Sequence, residues 1–357
     1  MKRNDVGIDL IKFIAAFLVV AIHMLPLKDV DANLSYYFTN TICRVGVPFF
    51  FVCSGYYLGD KCTDWAATRR YSLRLLGLYA LWTLLYLPQI LYQNRQAGTW
   101  GLSMAKELVY TFFVTGSYTQ FWYFPASIAA VLLLYVLKGR FRLPDWLLAP
   151  MLLLLYVLGV MGNAYYGVLL KAGGRLVPFY ERYFQWFETT RGGLFFGLPC
   201  LYLGYWMRGH EGAQPDGKRE KRSGEAFLYA VGVCVCMGLM IVERRWLLRT
   251  TQYTMGDMTF AMIPTVYFLV RAGLCLDFGG RSLKGSLFLR KCSTLIFCSH
   301  LLVDFYLHKM LVVAGWGRLM ERSPGRFLCV CIGTFVFSGL IICLSGTDRL
   351  KSLRVFY

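Results

Sequence analysis

Ten mostly apolar stretches of about twenty residues recur along this sequence, at 8–27, 43–59, 71–91, 121–137, 147–166, 192–208, 226–242, 257–275, 291–313 and 327–345. About 20 helical residues span a hydrocarbon core roughly 30 Å thick. Lipid offers no partner for backbone N–H and C=O groups, so each stretch must satisfy its own as a helix. The sequence therefore predicts an all-α, polytopic membrane protein of about ten transmembrane helices. Composition agrees: 57% of the 357 residues are hydrophobic and only 16% are charged, where a soluble domain carries nearer a quarter. The first stretch does not read as a cleaved signal peptide, because it holds Lys12 and His23 and lacks a small-residue cleavage pattern.

The net charge of +18 raises nucleic acid as a partner, but in a membrane chain the placement of the basic residues matters more. With the N-terminus inside, the cytoplasmic segments collect most of them, concentrated in RFR at 140–142 and KREKR at 218–222. The outer basic residues lie beside acidic ones or in the longer loops. Both termini are thus expected in the cytoplasm of a multi-pass cell-membrane protein, with anionic lipid rather than nucleic acid facing the cations. One membrane domain is expected over 1–357, with a flexible cytoplasmic loop at 209–224 and no appended soluble domain. Two outer loops are longer, 92–120 and 167–191, and 102–115 reads as an interfacial or re-entrant helix. No internal repeat of the kind common in secondary transporters is evident. Most of the 12 cysteines sit within apolar runs, as small hydrophobes do, without zinc-site or disulfide spacing.

Ionisable residues within spans are costly and therefore candidates for function. The first span carries Asp9, Lys12 and His23. Lys12 and His23 are eleven residues, about three turns, apart and share one face with Asp5 and Asp9. The bland reading is an Asp9–Lys12 pair with a merely hydrogen-bonded His23. His23 lies roughly 22 Å along the helix from its cytoplasmic end, in the outer half of the membrane. The second span, RVGVPFFFVCSGYYLG, runs from Arg44 to Gly59. Pro48 frees a carbonyl there, and Ser54-Gly55 permits close approach of a helix or ligand. The ninth span places His300, Asp304 and His308 at i, i+4 and i+8. A His–Asp relay, a metal site and a structural role near the outer surface all fit that spacing, and no metal is expected. FWYFPA at 121–126, with Trp122, fits an aromatic belt, and Arg191 before GGLFFGLP fits a snorkelling cation.

Together these residues resemble the acyltransferase 3 family of integral membrane acyltransferases. DLIKFIAAFLVVAIH looks like its first-helix motif, a basic residue followed eleven positions later by histidine. RVGVPFFFVCSGYYLG looks like its second-helix motif. FWYFPA, RGGLFFGLPCLYLG and STLIFCSHLLV match later segments in order. Within the family the chain looks most like the membrane domain of the vancomycin-resistance serine racemases. It departs at Lys12, where arginine is usual; lysine keeps the charge but lacks the planar fork.

The resemblance implies transfer of an acyl group, usually acetyl, from cytoplasmic acyl-CoA to a hydroxyl of an extracytoplasmic glycan, wall polymer or lipid. His23 would be the catalytic residue, as general base or transient acyl carrier, assisted by His300 and Asp304. Lys12, Arg69, Arg70 and Arg74 would serve the acyl-CoA donor, and Arg44, Ser54, Trp122 and Arg191 the acceptor. Two other functions compete. A transporter of a small amino acid such as serine would line its pathway with the same polar stripes, and a scaffold would need no turnover.

Overall fold

The computed structural model describes residues 5–99, 101–210, 223–251, 256–276 and 283–357. Residues 211–222 of the expected flexible loop 209–224 lie outside that set, and the loop's two described edges are helical. Among the described residues the chain is helical throughout and contains no strand. Seven helices among the described residues are long and apolar enough to cross a membrane, or eight if one bent pair counts as a span.

In chain order the helices are α1 (Val6–Met24), α2 (Ala32–Thr63), α3 (Trp65–Gln96), α4 (Leu102–Phe113), α5 (Tyr123–Arg140), α6 (Asp145–Met161), α7 (Tyr166–Ala172) and α8 (Val177–Phe187). They continue with α9 (Leu198–His210), α10 (Ser223–Thr251), α11 (Met262–Cys275), α12 (Leu283–Val313) and α13 (Ser323–Leu344). Three of the expected spans depart from a single long helix, the sixth because its α-helical part is only the 13 residues of α9, after a π-helical turn at Gly193–Gly197. The fifth stretch is α6 and α7, bent by 74° where Gly162 and Asn163 end the first helix. The eighth is only the 14 residues of α11, about 21 Å of helix. The expected interfacial helix at 102–115 is α4, which buries none of its residues.

Outward surfaces of the long helices are apolar. On α10, Phe227, Leu228, Val231, Val235, Leu239 and Val242 are all exposed. A helix with so much uncovered apolar side chain is matched to lipid rather than water.

The chain forms two compact units. One comprises Met1–Val47, Ala80–Met104 and Ala272–Tyr357; the other comprises Pro48–Tyr79 and Ala105–Arg271. In the first, α1, α12 and α13 pack together. Asp9 of α1 meets Arg290 of α12, and His23 further along α1 meets His300 further along α12, so these two helices run parallel. Phe335 of α13 packs on Phe13 and Phe288, whereas Arg326, earlier on α13, reaches Asp304, later on α12. Helix α13 is therefore antiparallel to both. Gly7 permits a close crossing, since a Cβ there would stand 2.3 Å from the Gly273 carbonyl oxygen.

The second unit is organised around a tighter crossing, between the Gly46–Leu58 part of α2 and α9. A Cβ on Gly55 would stand 1.9 Å from the Leu201 carbonyl oxygen, and one on Gly204 would stand 1.9 Å from that of Val52. Only hydrogen fits at both positions, as in small-residue contacts between membrane helices. Ala130, Val131, Leu134, Leu148, Leu152, Leu198 and Leu201 build the core beside this crossing.

Candidate active site

The first unit gathers five of the candidate residues: Lys12 and His23 on α1, Arg44 on α2, and His300 and Asp304 on α12. The polar stripe of α1 is divided by depth. Asp9 is fully buried and accepts from Arg290 Nε at 2.9 Å and Nη2 at 2.8 Å, with Ser286 donating to its second oxygen as well. The partner of Asp9 is thus Arg290 rather than Lys12, because long-range packing supplies a bidentate fork that i, i+3 spacing cannot. Lys12 is left half-buried, three turns before His23 on the same face.

At the other end of that stripe His23 lies against His300, with ring centroids 5.2 Å apart and the planes tilted by 36°. His300 is completely buried. Its Nδ1 lies 2.9 Å from the Phe297 carbonyl oxygen and 3.2 Å from that of Ile296. Carbonyls only accept, so Nδ1 carries the hydrogen, and in the neutral ring Nε2 keeps its lone pair. That Nε2 is buried and has no hydrogen-bond partner among the described residues. Buried polar atoms are nearly always bonded, so one left over beside a second imidazole calls for an explanation. The neighbouring hydroxyl of Ser299 is likewise buried without a partner among the described residues.

Asp304 does not orient His300. Its two oxygens accept from Arg326 Nε at 2.8 Å and Nη2 at 2.5 Å, and the main chain holds the His300 Nδ1 instead. A direct His–Asp relay at i, i+4 is therefore replaced by an ion pair and a separate imidazole pair. The third member of the spacing, His308, is exposed. Among the described residues no three His, Cys, Asp or Glu side chains are grouped to hold a metal ion. Arg44 sits in a tight turn of α2 and donates from Nη2 to Asn40 Oδ1 at 3.2 Å.

The second unit joins Trp122 to Arg191, whose guanidinium carbon lies 4.5 Å from the indole ring centre. Arg191 also ion-pairs with Asp257 through Nη1. The loop carrying Asp257 is held by Asn163, whose Oδ1 accepts from the Asp257 N–H at 2.5 Å and the Met258 N–H at 2.9 Å. Ser54 lies beside the hydroxyls of Tyr71 and Tyr123. Arg69, Arg70 and Arg74 are all exposed on the first turns of α3, with Arg70 and Arg74 on one face at i, i+4. Asp257, Asn163, Arg290 and Arg326 escaped the sequence reading. Each partner is distant in the chain or on another helix, so no local spacing signals it.

A histidine three turns after a half-buried lysine on the first helix lies against a buried histidine of α12. The acyltransferase domain profile of the acyltransferase 3 family matches residues 5–343, almost the whole chain. The chain belongs to the acyltransferase 3 family. Among curated proteins it is similar to an amino-acid racemase of Enterococcus faecalis, 28% identical over 99% of this chain and 47% of that protein. A second amino-acid racemase of the same species is 33% identical over 99% of this chain and 48% of its own length. A serine/alanine racemase of Enterococcus gallinarum is 36% identical over 57% of this chain and 29% of its own. The chain therefore spans about half the length of the first two relatives. No solved structure matches it.

Proposed function

We propose that this protein transfers an acyl group, acetyl in the first instance, from cytoplasmic acyl-CoA to a hydroxyl of an extracytoplasmic glycan, wall polymer or lipid. The observation that carries this reading is the His23–His300 pair, with a buried imidazole whose hydrogen is committed to the backbone and whose Nε2 lone pair is not. His23 takes the proton of the acceptor hydroxyl while the oxygen bonds to the acyl carbon. The thioester C–S bond breaks, and the departing thiolate receives that proton as free CoA. In the covalent variant His23 carries the acyl group before the hydroxyl takes it. Arg69, Arg70 and Arg74 supply guanidinium forks for the CoA phosphates, and Lys12 adds a further cation for the donor. Arg44, Ser54, Trp122 and Arg191 serve the acceptor, the indole and guanidinium together offering a stacking surface and a donor to a sugar or anionic group.

The parallel course of α1 and α12 bears on topology. Two parallel spans are separated by an odd number of crossings, which suits α12 as the ninth span of ten. With Lys and Arg weighted to the inner segments, both termini lie in the cytoplasm.

The test is acetyl-CoA binding and turnover by the protein purified in detergent, beside His23→Ala and Arg74→Ala. Weaker binding in Arg74→Ala and lost turnover in His23→Ala are expected. Turnover that survives His23→Ala removes His23 from the chemistry. No binding of any acyl-CoA by wild type turns the reading to transport of a small amino acid, checked by labelled uptake.

A further inference from the structure

Regular helix bonding in α12 would join the Cys298 carbonyl to the Leu302 N–H, four residues on. Both groups also bond the Tyr86 hydroxyl of α3. It donates to the Cys298 oxygen at 2.8 Å and accepts from the Leu302 nitrogen at 2.9 Å. The Tyr86 side chain is completely buried. A hydroxyl bonded to both ends of one i→i+4 step ties that turn of the helix to the side chain that carries it. The residue at the centre of that turn is His300.

We propose that Tyr86 is a positioning residue for His300. Its hydroxyl fixes the twist of α12 between Cys298 and Leu302, and with it the direction in which the His300 Cα–Cβ bond leaves the helix. On one side of His300 the hydroxyl holds residues 298 and 302; on the other, the Ile296 and Phe297 carbonyls hold Nδ1. These two restraints together aim Nε2, the one ring nitrogen not bonded to the backbone, while the ring packs 5.2 Å from that of His23. Packing alone does not explain the hydroxyl. A phenylalanine would fill the same space without making either bond. The kinetic part of this proposal rests on the acyl-transfer reading; the structural part does not.

The test is Tyr86→Phe in the full-length protein in detergent, read in two ways. The chain has four histidines, so ring 15N spectra of histidine-labelled protein are simple, and His300→Gln assigns the His300 signals. In Tyr86→Phe the His300 ring signals are expected to move, while those of exposed His210 and His308 stay. The kcat for acetyl transfer is expected to fall about tenfold to a hundredfold, the scale of a small misplacement of a reacting group. KM for acetyl-CoA and the melting temperature are expected to stay near wild type. Unmoved His300 signals, or a kcat within about twofold of wild type, overturn the proposal. Moved signals in a protein whose wild type transfers no acyl group leave Tyr86 as the positioning residue and remove the acyl-transfer reading instead.

Discussion

Cutting the Asp9–Arg290 pair should separate the stability of the α1–α12 interface from its chemistry. Asp9 is fully buried, whereas the Arg290 side chain keeps 34% of its exposure. The two single replacements are therefore unequal. Arg290→Met strands a carboxylate with no route to water, so it carries the full penalty for breaking a buried pair, about 3–5 kcal/mol. Asp9→Asn keeps the shape and leaves a guanidinium that rehydrates in part, so about 2 kcal/mol is expected. The double variant leaves no charge behind and should be more stable than Arg290→Met alone, with a coupling of about 2 kcal/mol. Thermal melts in one detergent at one scan rate read the order, at roughly 2 °C per kcal/mol for a chain of this size. Residues 9 and 23 are about 21 Å apart on α1, and residues 290 and 300 about 15 Å apart on α12. A loosened latch should therefore lower turnover by relaxing the register of the two histidines. A double variant less stable than Arg290→Met, or an Asp9→Asn melt equal to wild type, would refute the argument.

Gly204→Ala places a Cβ 1.9 Å from the Val52 carbonyl oxygen; a loss of at least 1–3 kcal/mol is expected, read as a lower melting temperature, whereas Gly238→Ala, with open space around it, should cost nothing. Arg191→Lys keeps the charge but loses the planar stack on Trp122; KM for the acceptor should rise several-fold with KM for acetyl-CoA unchanged, in a two-substrate assay. Asp29, in the turn after α1, accepts from the Ser323 N–H, which holds its carboxyl below the usual carboxylate range. Its stabilisation is present above the unfolded carboxylate pKa and is lost as pH falls through the lower folded value. The melting difference between wild type and Asp29→Asn should accordingly be constant near neutral pH and vanish in acid; a difference that persists there would refute it.

Bilayer thickness and backbone satisfaction leave one solution for a long apolar run, so among the described residues seven of the ten expected spans, or eight with the bent pair, are helices long enough to cross. The sequence foretold a helix at α4 and placed His23 and Lys12 on one face of α1 from angular spacing alone. Spacing on one helix is silent about the opposite helix, however. Asp9 and Lys12, three residues apart, were the natural pair, yet Asp9 is claimed by Arg290, far along the chain. Likewise His300 and Asp304 are at ideal i, i+4 spacing, but Arg326 takes both carboxylate oxygens and the backbone takes the Nδ1 hydrogen. In both cases a bidentate arginine from another helix outcompetes the local neighbour, because two aligned charge-assisted bonds in a poorly solvated place exceed what a short local contact offers.

That competition has a consequence for the chemistry. A carboxylate bonded to either histidine would hold a proton on the pair and fix its charge. With Asp9 committed to Arg290 and Asp304 to Arg326, both carboxylates are engaged by arginines on the helices that frame the site. His300 is oriented by neutral main-chain carbonyls instead. Orientation of that ring therefore comes from the main chain rather than from a carboxylate bonded to it. The two arginine–carboxylate pairs and the Tyr86 hydroxyl then act as one frame: the pairs fix α1, α12 and α13 against each other, and Tyr86 ties itself to the turn that carries His300.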